Sequence, residues 1–334
     1  MRRISEKAET KEILNVVQMA ELKSAEHFVQ ESAEPRRVLD GVYMRVDRAQ
    51  SWGVTARTGY EVRLLLEVMG NITPYEEGKC VLAERGMMRR KRVILPHVFY
   101  IGDADMLYGN MNVLEYLCFA TERQDGDNRL RMQEELFERL IDFGLGHVSL
   151  TGIRWLTDEE QAVVALLAAA HSDCLLIVFN LPEWRFDERL QGAIAKAAEL
   201  IAGRGKALVL GTLDRGLIQR ACSHTAFVAD GRILYQGRTD WLRRYFDKAA
   251  VIIEDEDIEG MREKLTPILV GCELTEKDGR LLVMVRGDEV PPLKIYQRVV
   301  AAGIAPRCIR VNEKTVDNAY EELMRRHDLS GQLL

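Results

Sequence analysis

Apolar residues crowd most densely at two places near the middle of the chain. Ala162–Ala170 is a run of nine residues without a polar side chain. A helix built from it is apolar on every face, which predicts that it is buried. Cys174–Phe179 (CLLIVF) is a continuous apolar run of strand length, the pattern of a central parallel strand covered on both faces. Thr157 and Glu160 precede the first run at the spacing of a capping box, in which the hydroxyl takes the N3 amide and the carboxylate returns to the N-cap amide. Beyond the strand, Leu190, Ile194, Ala197 and Ile201 recur at helical spacing, and Ala207–Leu210 is again strand-like. Strand, helix and strand in this order form a βαβ unit, which implies a parallel sheet with helices on its faces.

The flanking segments extend the pattern. Glu12–Met19 and Gly41–Val46 read as strands, separated by the polar, Pro-containing stretch Glu31–Arg37. Ser51–Thr55 predicts a third strand; Ala56–Gly59 follows it, and then Val62–Met69 with helical periodicity. Strand, glycine-containing turn and helix is the setting in which a phosphate-binding loop is expected. After a turn at Asn71–Gly78, Val93–Ile101 predicts a strand, while Met106–Ala120 and Leu130–Phe143 carry helical periodicity, the latter with alternating charges on its open face. Thr225–Tyr235 reads as a hairpin turned at Asp230–Gly231. Near Lys248 the composition shifts to the acidic run Glu254–Asp257, after which Ile258–Leu265, Arg280–Val285, Leu293–Ala302 and Val316–Arg325 alternate between helix-like and strand-like. The expected organisation is a flexible arm at 1–10, a large α/β domain at 11–247 with a helical part at about 104–170, an acidic linker at 248–258 and a small α+β domain at 259–334.

Composition narrows the function classes. At 334 residues, 47% of them hydrophobic, the chain can bury a sizeable core. Its longest apolar run is about half of the ~20 residues that a membrane-spanning helix needs, so no direct membrane insertion is expected. The opening MRRISEKAETKE has no apolar segment behind its basic residues and reads as neither a secretory signal nor an anchor. The six cysteines are scattered, with no CxxC, and read as reduced core thiols. The six histidines are equally dispersed, and no metal site is expected. A net charge of -6 argues against nucleic acid as a partner. The basic cluster Arg89, Arg90, Lys91 and Arg92 reads as a solvated strand edge or turn rather than a phosphate-binding patch.

Laid out from residue 12 to 246, the chain resembles the nucleotide-binding domain of the ATP-binding-cassette (ABC) ATPases. Val38–Gly41 matches the approach to the family's second strand, and Leu65, Leu66, Val68 and Met69 match the helix after the Walker A loop. Tyr100-Ile101 and Asn112–Glu115 match the approach to the Q-loop and the segment after it. Leu156–Ala170 matches the signature motif with its helix, Leu175–Pro182 Walker B, Asp187 the D-loop, Thr212–Asp214 the H-loop and Asp230–Ile233 the "DGRI" hairpin. Val316–Met324 is similar to the ending of a C-terminal extension found on drug-exporter-like subunits. The resemblance implies a P-loop NTPase-like α/β fold with a parallel-core sheet, an antiparallel β subdomain and a helical subdomain, followed by a small α+β domain.

The residues that carry the family's chemistry are replaced. The gapless Walker A positions are Ala56, Arg57, Thr58, Gly59, Tyr60, Glu61, Val62 and Arg63. Val62 stands at the phosphate-binding Lys, Arg63 at the Mg²⁺-binding hydroxyl and Glu61 at a glycine that lets backbone approach phosphate. Asn180 and Leu181 hold the Walker B positions for the metal-binding Asp and the catalytic Glu, and leucine cannot act as a base. Gly102 holds the Q-loop position and Leu213 that of the H-loop His. In the signature motif, Thr157, Asp158, Glu159, Glu160 and Gln161 put carboxylates where two glycines would receive a γ-phosphate. Asp187 reads more simply as a helix N-cap, and Arg57, Thr58, Gly59 and Arg63 as a remnant that could hold an anion. The expectation is a pseudo-ATPase with no catalytic residues and no cofactor. The resemblance implies a cytoplasmic subunit under a membrane permease, paired with itself or with an intact ABC ATPase subunit, and a permease contact on an exposed apolar patch around Met106–Tyr116. The alternatives are an active ATPase using ATP and Mg²⁺ through unusual residues, or a cytoplasmic scaffold without any transporter.

Overall fold

The computed structural model describes residues 18–29, 36–82, 85–86, 97–103, 107, 109–121, 129–245, 249–277, 279–285, 292–311 and 315–331. The arm at 1–10, the basic cluster at 89–92 and most of the stretch at 31–37 lie outside them. The chain divides into two compact units, Met1–Thr239 and Asp240–Leu334.

The first unit contains two sheets. Strands β1 (Gln18–Val29), β2 (Arg36–Asp47), β4 (Glu77–Leu82) and β5 (Arg85–Gly86) form an antiparallel sheet in the order β2-β1-β4-β5. The second sheet has six strands. In chain order these are β3 (Ser51–Ala56), β6 (Val98–Ile101), β7 (Leu176–Asn180), β8 (Ala207–Gly211), β9 (His224–Ala229) and β10 (Arg232–Arg238), and their spatial order is β10-β9-β3-β8-β7-β6. All its pairings are parallel except β9 with β10. The hairpin turns at Asp230 and Gly231, both at positive φ (49° and 74°), as a two-residue type I′ loop requires.

Helix α1 (Gly59–Met69) lies between the sheets. Val62, Leu65, Leu66 and Met69 share one buried cluster with Leu39, Val42 and Met44 of β2 and Val54, Val178 and Val209 of the parallel sheet. The helical part comprises α2 (Val113–Thr121), α3 (Arg129–Asp142) and α4 (Asp158–His171), with α5 (Glu188–Gly203) and α6 (Arg215–Ala221) flanking the sheet strands. Every residue from Ala162 to Ala170 is at most 2% exposed, as its all-round apolar pattern predicts. At β3, a methyl group on Gly53 would come within 2.5 Å of Ile218 Cγ2, so glycine is what lets α6 pack this closely.

The second unit holds an antiparallel sheet of β11 (Ala249–Glu254), β12 (Cys272–Lys277), β13 (Arg280–Val285) and β14 (Cys308–Val311), in the order β12-β13-β11-β14. Its helices after α7 (Thr239–Tyr245) are α8 (Ile258–Leu265), α9 (Pro292–Ala301) and α10 (Val316–Gly331). Val251 and Ile253 of β11 pack with Leu281 and Val283 of β13 and with Met261, Leu265, Ile295 and Val299 of the helices.

Several sequence expectations change. The expected strand at 12–19 lies outside the described residues up to position 17; its described part, β1, runs on from Gln18 to Val29, past the expected end, and β2 is already a strand at Arg36, before the expected Gly41; repeated register shifts between the two interrupt the period-2 alternation that marks a strand. The helix expected from Met106 starts at Val113, because Asn112 Oδ1 accepts from Glu115 N (2.8 Å) and Glu115 Oε2 accepts from Asn112 N (3.0 Å). Of the apolar patch expected around 106–116, Val113 (0% exposed) and Tyr116 (7%) are buried, Leu107, Met111 and Leu114 are half-buried, and Met106 lies outside the described residues. Part of the acidic linker expected at 248–258 is the interior strand β11, whose buried Val251 and Ile253 outweigh the acidic residues after it. All six cysteines are free thiols; Cys80, Cys118, Cys174 and Cys222 are buried, whereas Cys272 is half-buried and Cys308 exposed.

Candidate functional site

Only Arg57 and Thr58 separate the end of β3 at Ala56 from the start of α1 at Gly59. Tyr60, Glu61, Val62 and Arg63 are already helical. A phosphate loop works by curling free N–H groups around an anion. A helix commits its amides to carbonyls beyond the first turn, leaving only the first few free. Val62 is fully buried in the core, so the position a phosphate-binding lysine would take is a packing position here. Tyr60 points the other way and is about half exposed.

The space around the first turn of α1 is taken by the chain's own charges. Glu183, on the loop after β7, places Oε1 2.5 Å from where a Cβ on Gly59 would stand. Its Oε2 accepts from Arg63 Nη2 at 2.8 Å. Arg63 forms a second ion pair with Asp103, the residue after Gly102. A carboxylate beside the first turn of a helix is favoured by the helix dipole, so Glu183 sits where an incoming anion would be attracted. Glu61 turns toward the hairpin, where its Oε1 accepts from Gly231 N at 3.2 Å, and its Oε2 accepts weakly from the Thr58 hydroxyl at 3.4 Å. Arg63, one of the expected anion-holding residues, is thus already matched by two acids.

Asn180 at the end of β7 is 1% exposed and ties the cluster to the sheet. Its Nδ2 donates to the backbone carbonyl of Arg63 and to Tyr100 Oη, each at 2.9 Å. Burial raises the Tyr100 phenol above its ordinary pKa, with the Asn180 bond working the other way. A side chain at position 102 would collide with the Tyr100 ring, since a Cβ on Gly102 would lie 2.7 Å from Tyr100 Cε1. Leu181 is fully buried. Leu213 is partly buried against the core, and its backbone N–H donates to Pro182 O at 2.9 Å. Asp214 and Asp187 are N-caps, accepting from Leu217 N (3.1 Å) and Leu190 N (2.7 Å).

Asn180 Oδ1 is a buried acceptor without a hydrogen-bond partner, and the guanidinium of Arg63 is held by Asp103 and Glu183. The cluster thus carries its own cation and its own anions. Among the described residues of the cluster, Leu181 is apolar and fully buried, and Glu183 is bound to Arg63.

The residues Thr157–Gln161 form a second cluster at the N-terminus of α4. The capping box is complete, with Glu160 N donating to Thr157 Oγ1 and Thr157 N to Glu160 Oε2, each at 3.2 Å. Glu160 Oε1 also accepts from Arg189 Nη2 at 2.9 Å, and Arg189 Nη1 lies 3.1 Å from His147 Nε2. Gln161 Nε2 donates to Leu156 O at 3.3 Å. Asp158 is exposed and Glu159 half-buried. This helix end is closed by protein groups and bordered by carboxylates. The structure brings Gly59, Val62, Arg63, Gly102 and Asn180 into one neighbourhood and places the signature-like residues in another. Sequence reasoning missed Asp103, Glu183 and Arg189. An arginine at a metal-ligand position next to acids that follow the Q-loop and Walker B positions is the signal that could have found the first two.

No protein-family model matches the chain. It is 25% identical over 174 residues to the histidine/lysine/arginine/ornithine transport ATP-binding protein HisP of Salmonella typhimurium, a match covering 50% of this chain and 64% of that protein. The chain therefore spans just under two thirds of this relative. It is 21% identical over 258 residues to the Nod factor export ATP-binding protein I of Cupriavidus metallidurans, covering 77% of this chain and 84% of that protein. Among solved structures it is similar to an ATP-binding subunit of an ABC transporter (TM-score 0.54, 17% identity, 68% of this chain and 93% of that one). It is also similar to a dimeric ATP-binding cassette bound to ADP and Pi (TM-score 0.53, 14% identity, 66% and 98%). The fold is that of an ABC nucleotide-binding cassette.

Proposed function

We propose that this chain, an ABC-type cassette by fold whose sequence relatives are transport ATP-binding subunits, acts as a pseudo-ATPase: a catalytically degenerate subunit that serves a membrane ABC transporter structurally or as a regulator. The observation that carries the reading is the Asp103–Arg63–Glu183 network at the first turn of α1. It supplies internally the charges that Mg²⁺ and phosphate bring to a working cassette. With its own ions in place, the cassette keeps a closed, packed site without nucleotide.

In this reading the partners are a permease subunit and either a second copy of the chain or an intact ATP-binding subunit, and the location is the cytoplasmic side of the membrane. A cassette-like fold around a buried parallel sheet supports this reading; no described helix is long and apolar enough to cross a membrane.

Phosphate release from Mg-ATP by the purified full chain tests the proposal. The expected result is no release above that of a chain carrying Arg63→Ala. Steady turnover that Arg63→Ala abolishes would instead establish an active ATPase with unusual residues.

A further inference from the structure

Away from the site above, a cleft of 120 Å³ opens between the helices of the first unit. Thr121 at the end of α2, Met132, Leu136 and Arg139 of α3, His171 at the end of α4 and Arg204 just beyond α5 line it, with Glu135 at the same wall. Water occupies roughly 30 Å³ per molecule in the liquid. The cleft therefore has room for a tetrahedral oxyanion and a water or two, and none for a nucleoside.

The charges of this cleft do not balance. Lys206 Nζ donates to Ala169 O (3.2 Å), Ala170 O (2.9 Å) and Ser172 O, and Arg204 Nη1 donates to Ala170 O (3.1 Å). These bonds satisfy the free carbonyls at the end of α4 and leave the other N–H groups of Arg204 for the cleft. The side chain of Arg139, at the exposed mouth of the cleft, makes no hydrogen bond or ion pair among the described residues. Glu135, the one acid on the lining, is held by Arg131 at 3.4 Å and is largely exposed. His171 is 7% exposed, and its Nδ1 lies 2.9 Å from Leu167 O. A carbonyl only accepts, so Nδ1 carries the proton and Nε2 is the basic nitrogen of the neutral ring. Burial, and then Arg204, Arg139 and Lys206, push its pKa down to about 4. Desolvation and the proximity of Arg139 also lower the pKa of Arg204. Two arginines and a lysine thus converge on a buried neutral imidazole, and their mutual repulsion is relieved by an anion.

We propose that this cleft binds a small oxyanion of phosphate type, gripped by the guanidinium groups of Arg139 and Arg204. Guanidinium groups present paired N–H donors that match the oxygens of phosphate. The groups that face His171 are Arg139 and Glu135 from α3 and Arg204 and Lys206 from the segment after α5. Three of these four are cations. A bound dianion reverses the field at the ring, so occupancy raises the pKa of His171 and binding strengthens as pH falls.

The test is a titration of the full chain with inorganic phosphate at constant ionic strength, chloride serving as the matched salt. It is followed by the thermal midpoint and by the NMR signal of the His171 ring. Phosphate, and not chloride, is expected to raise both the midpoint and the His171 pKa. Arg139→Gln is expected to weaken binding about tenfold or more, the loss of one charge-assisted hydrogen bond, while Arg154→Gln, an exposed arginine that does not line the cleft, leaves it unchanged. Arg204 also caps α4, so Arg139, which bonds to nothing else, carries the decision. Equal responses to phosphate and chloride, or an unchanged affinity in Arg139→Gln, would overturn the site. A phosphate response abolished by Arg63→Ala and not by Arg139→Gln would also overturn it, by placing the anion at α1, and would separate this failure from that of the pseudo-ATPase reading.

Discussion

Glu183 lies against Gly59 and grips Arg63: one carboxylate oxygen stands 2.5 Å from the position of a Cβ on the glycine, and the other accepts from the guanidinium at 2.8 Å. A residue from the loop after β7 thus fills the first turn of a helix 120 residues earlier in the chain. Because both side chains are partly exposed, the pair contributes little to stability. A double-mutant cycle of Arg63→Ala and Glu183→Ala is expected to give a coupling of about 0.5–1 kcal/mol in urea unfolding. A coupling of zero would mean that the two groups do not hold one another in solution.

Restoring the Walker B aspartate should harm the protein. In Asn180→Asp the donor bond to Arg63 O is lost, while Tyr100 Oη must turn to donate to the new carboxylate, and a charge is placed in a 1% exposed position facing a carbonyl oxygen. The expected loss is about 2–4 kcal/mol at neutral pH, read from urea unfolding, and it should shrink in acid as the new carboxyl takes up a proton. A neutral or stabilising substitution would mean that the position is still built for a negative charge.

The capping box at α4 gives a cleaner stability prediction. Thr157→Ala removes the acceptor for the Glu160 amide and should cost about 1 kcal/mol. Glu160→Ala should cost at least as much, because it also frees Arg189. The two losses should not add, since both break the same reciprocal pair. Strict additivity in the double variant would argue against a formed box.

His171 makes stability depend on pH. Its folded pKa of about 4 lies below the ordinary value of about 6.5. Between these values the unfolded chain binds the proton and the folded chain does not. The contribution of the buried neutral ring is thus fully present above about pH 6.5, is lost as pH falls toward 4, and changes no further below that. The loss amounts to as much as about 3 kcal/mol. His171→Gln should flatten the slope between pH 6.5 and 4 in phosphate-free buffer, leaving only the contribution of other groups such as the carboxylates. An NMR titration that places His171 near 6.5 would contradict this.

What could be read in the sequence, and what could not, follows from how far each signal reaches along the chain. β7 was legible because a strand buried on both faces needs a continuous apolar run, and Leu176–Asn180 is buried at every position. Thr157 with Glu160 and Asp230 with Gly231 were legible because a cap and a two-residue turn are made by neighbours. β1 was not, since its register shifts against β2 break the alternation. The start of α2 was readable in the Asn112–Glu115 pair but was overridden by the apolar residues before it. The site split the same way. Losses at Val62, Leu181 and Leu213 are single-position facts, whereas the acids that take over Arg63 come from two distant loops and are visible only once the sheet brings β6 and β7 side by side.

The central claim is that the chain's own ions fill the nucleotide position. Calorimetric titration of the purified full chain with Mg-ATP at millimolar concentration tests it most directly. The account predicts no heat of binding beyond dilution, both in the native chain and in Glu183→Ala, because Val62 and the two-residue loop remain. Saturable binding of Mg-ATP to the native chain, lost when Arg63 is replaced by alanine, would contradict it.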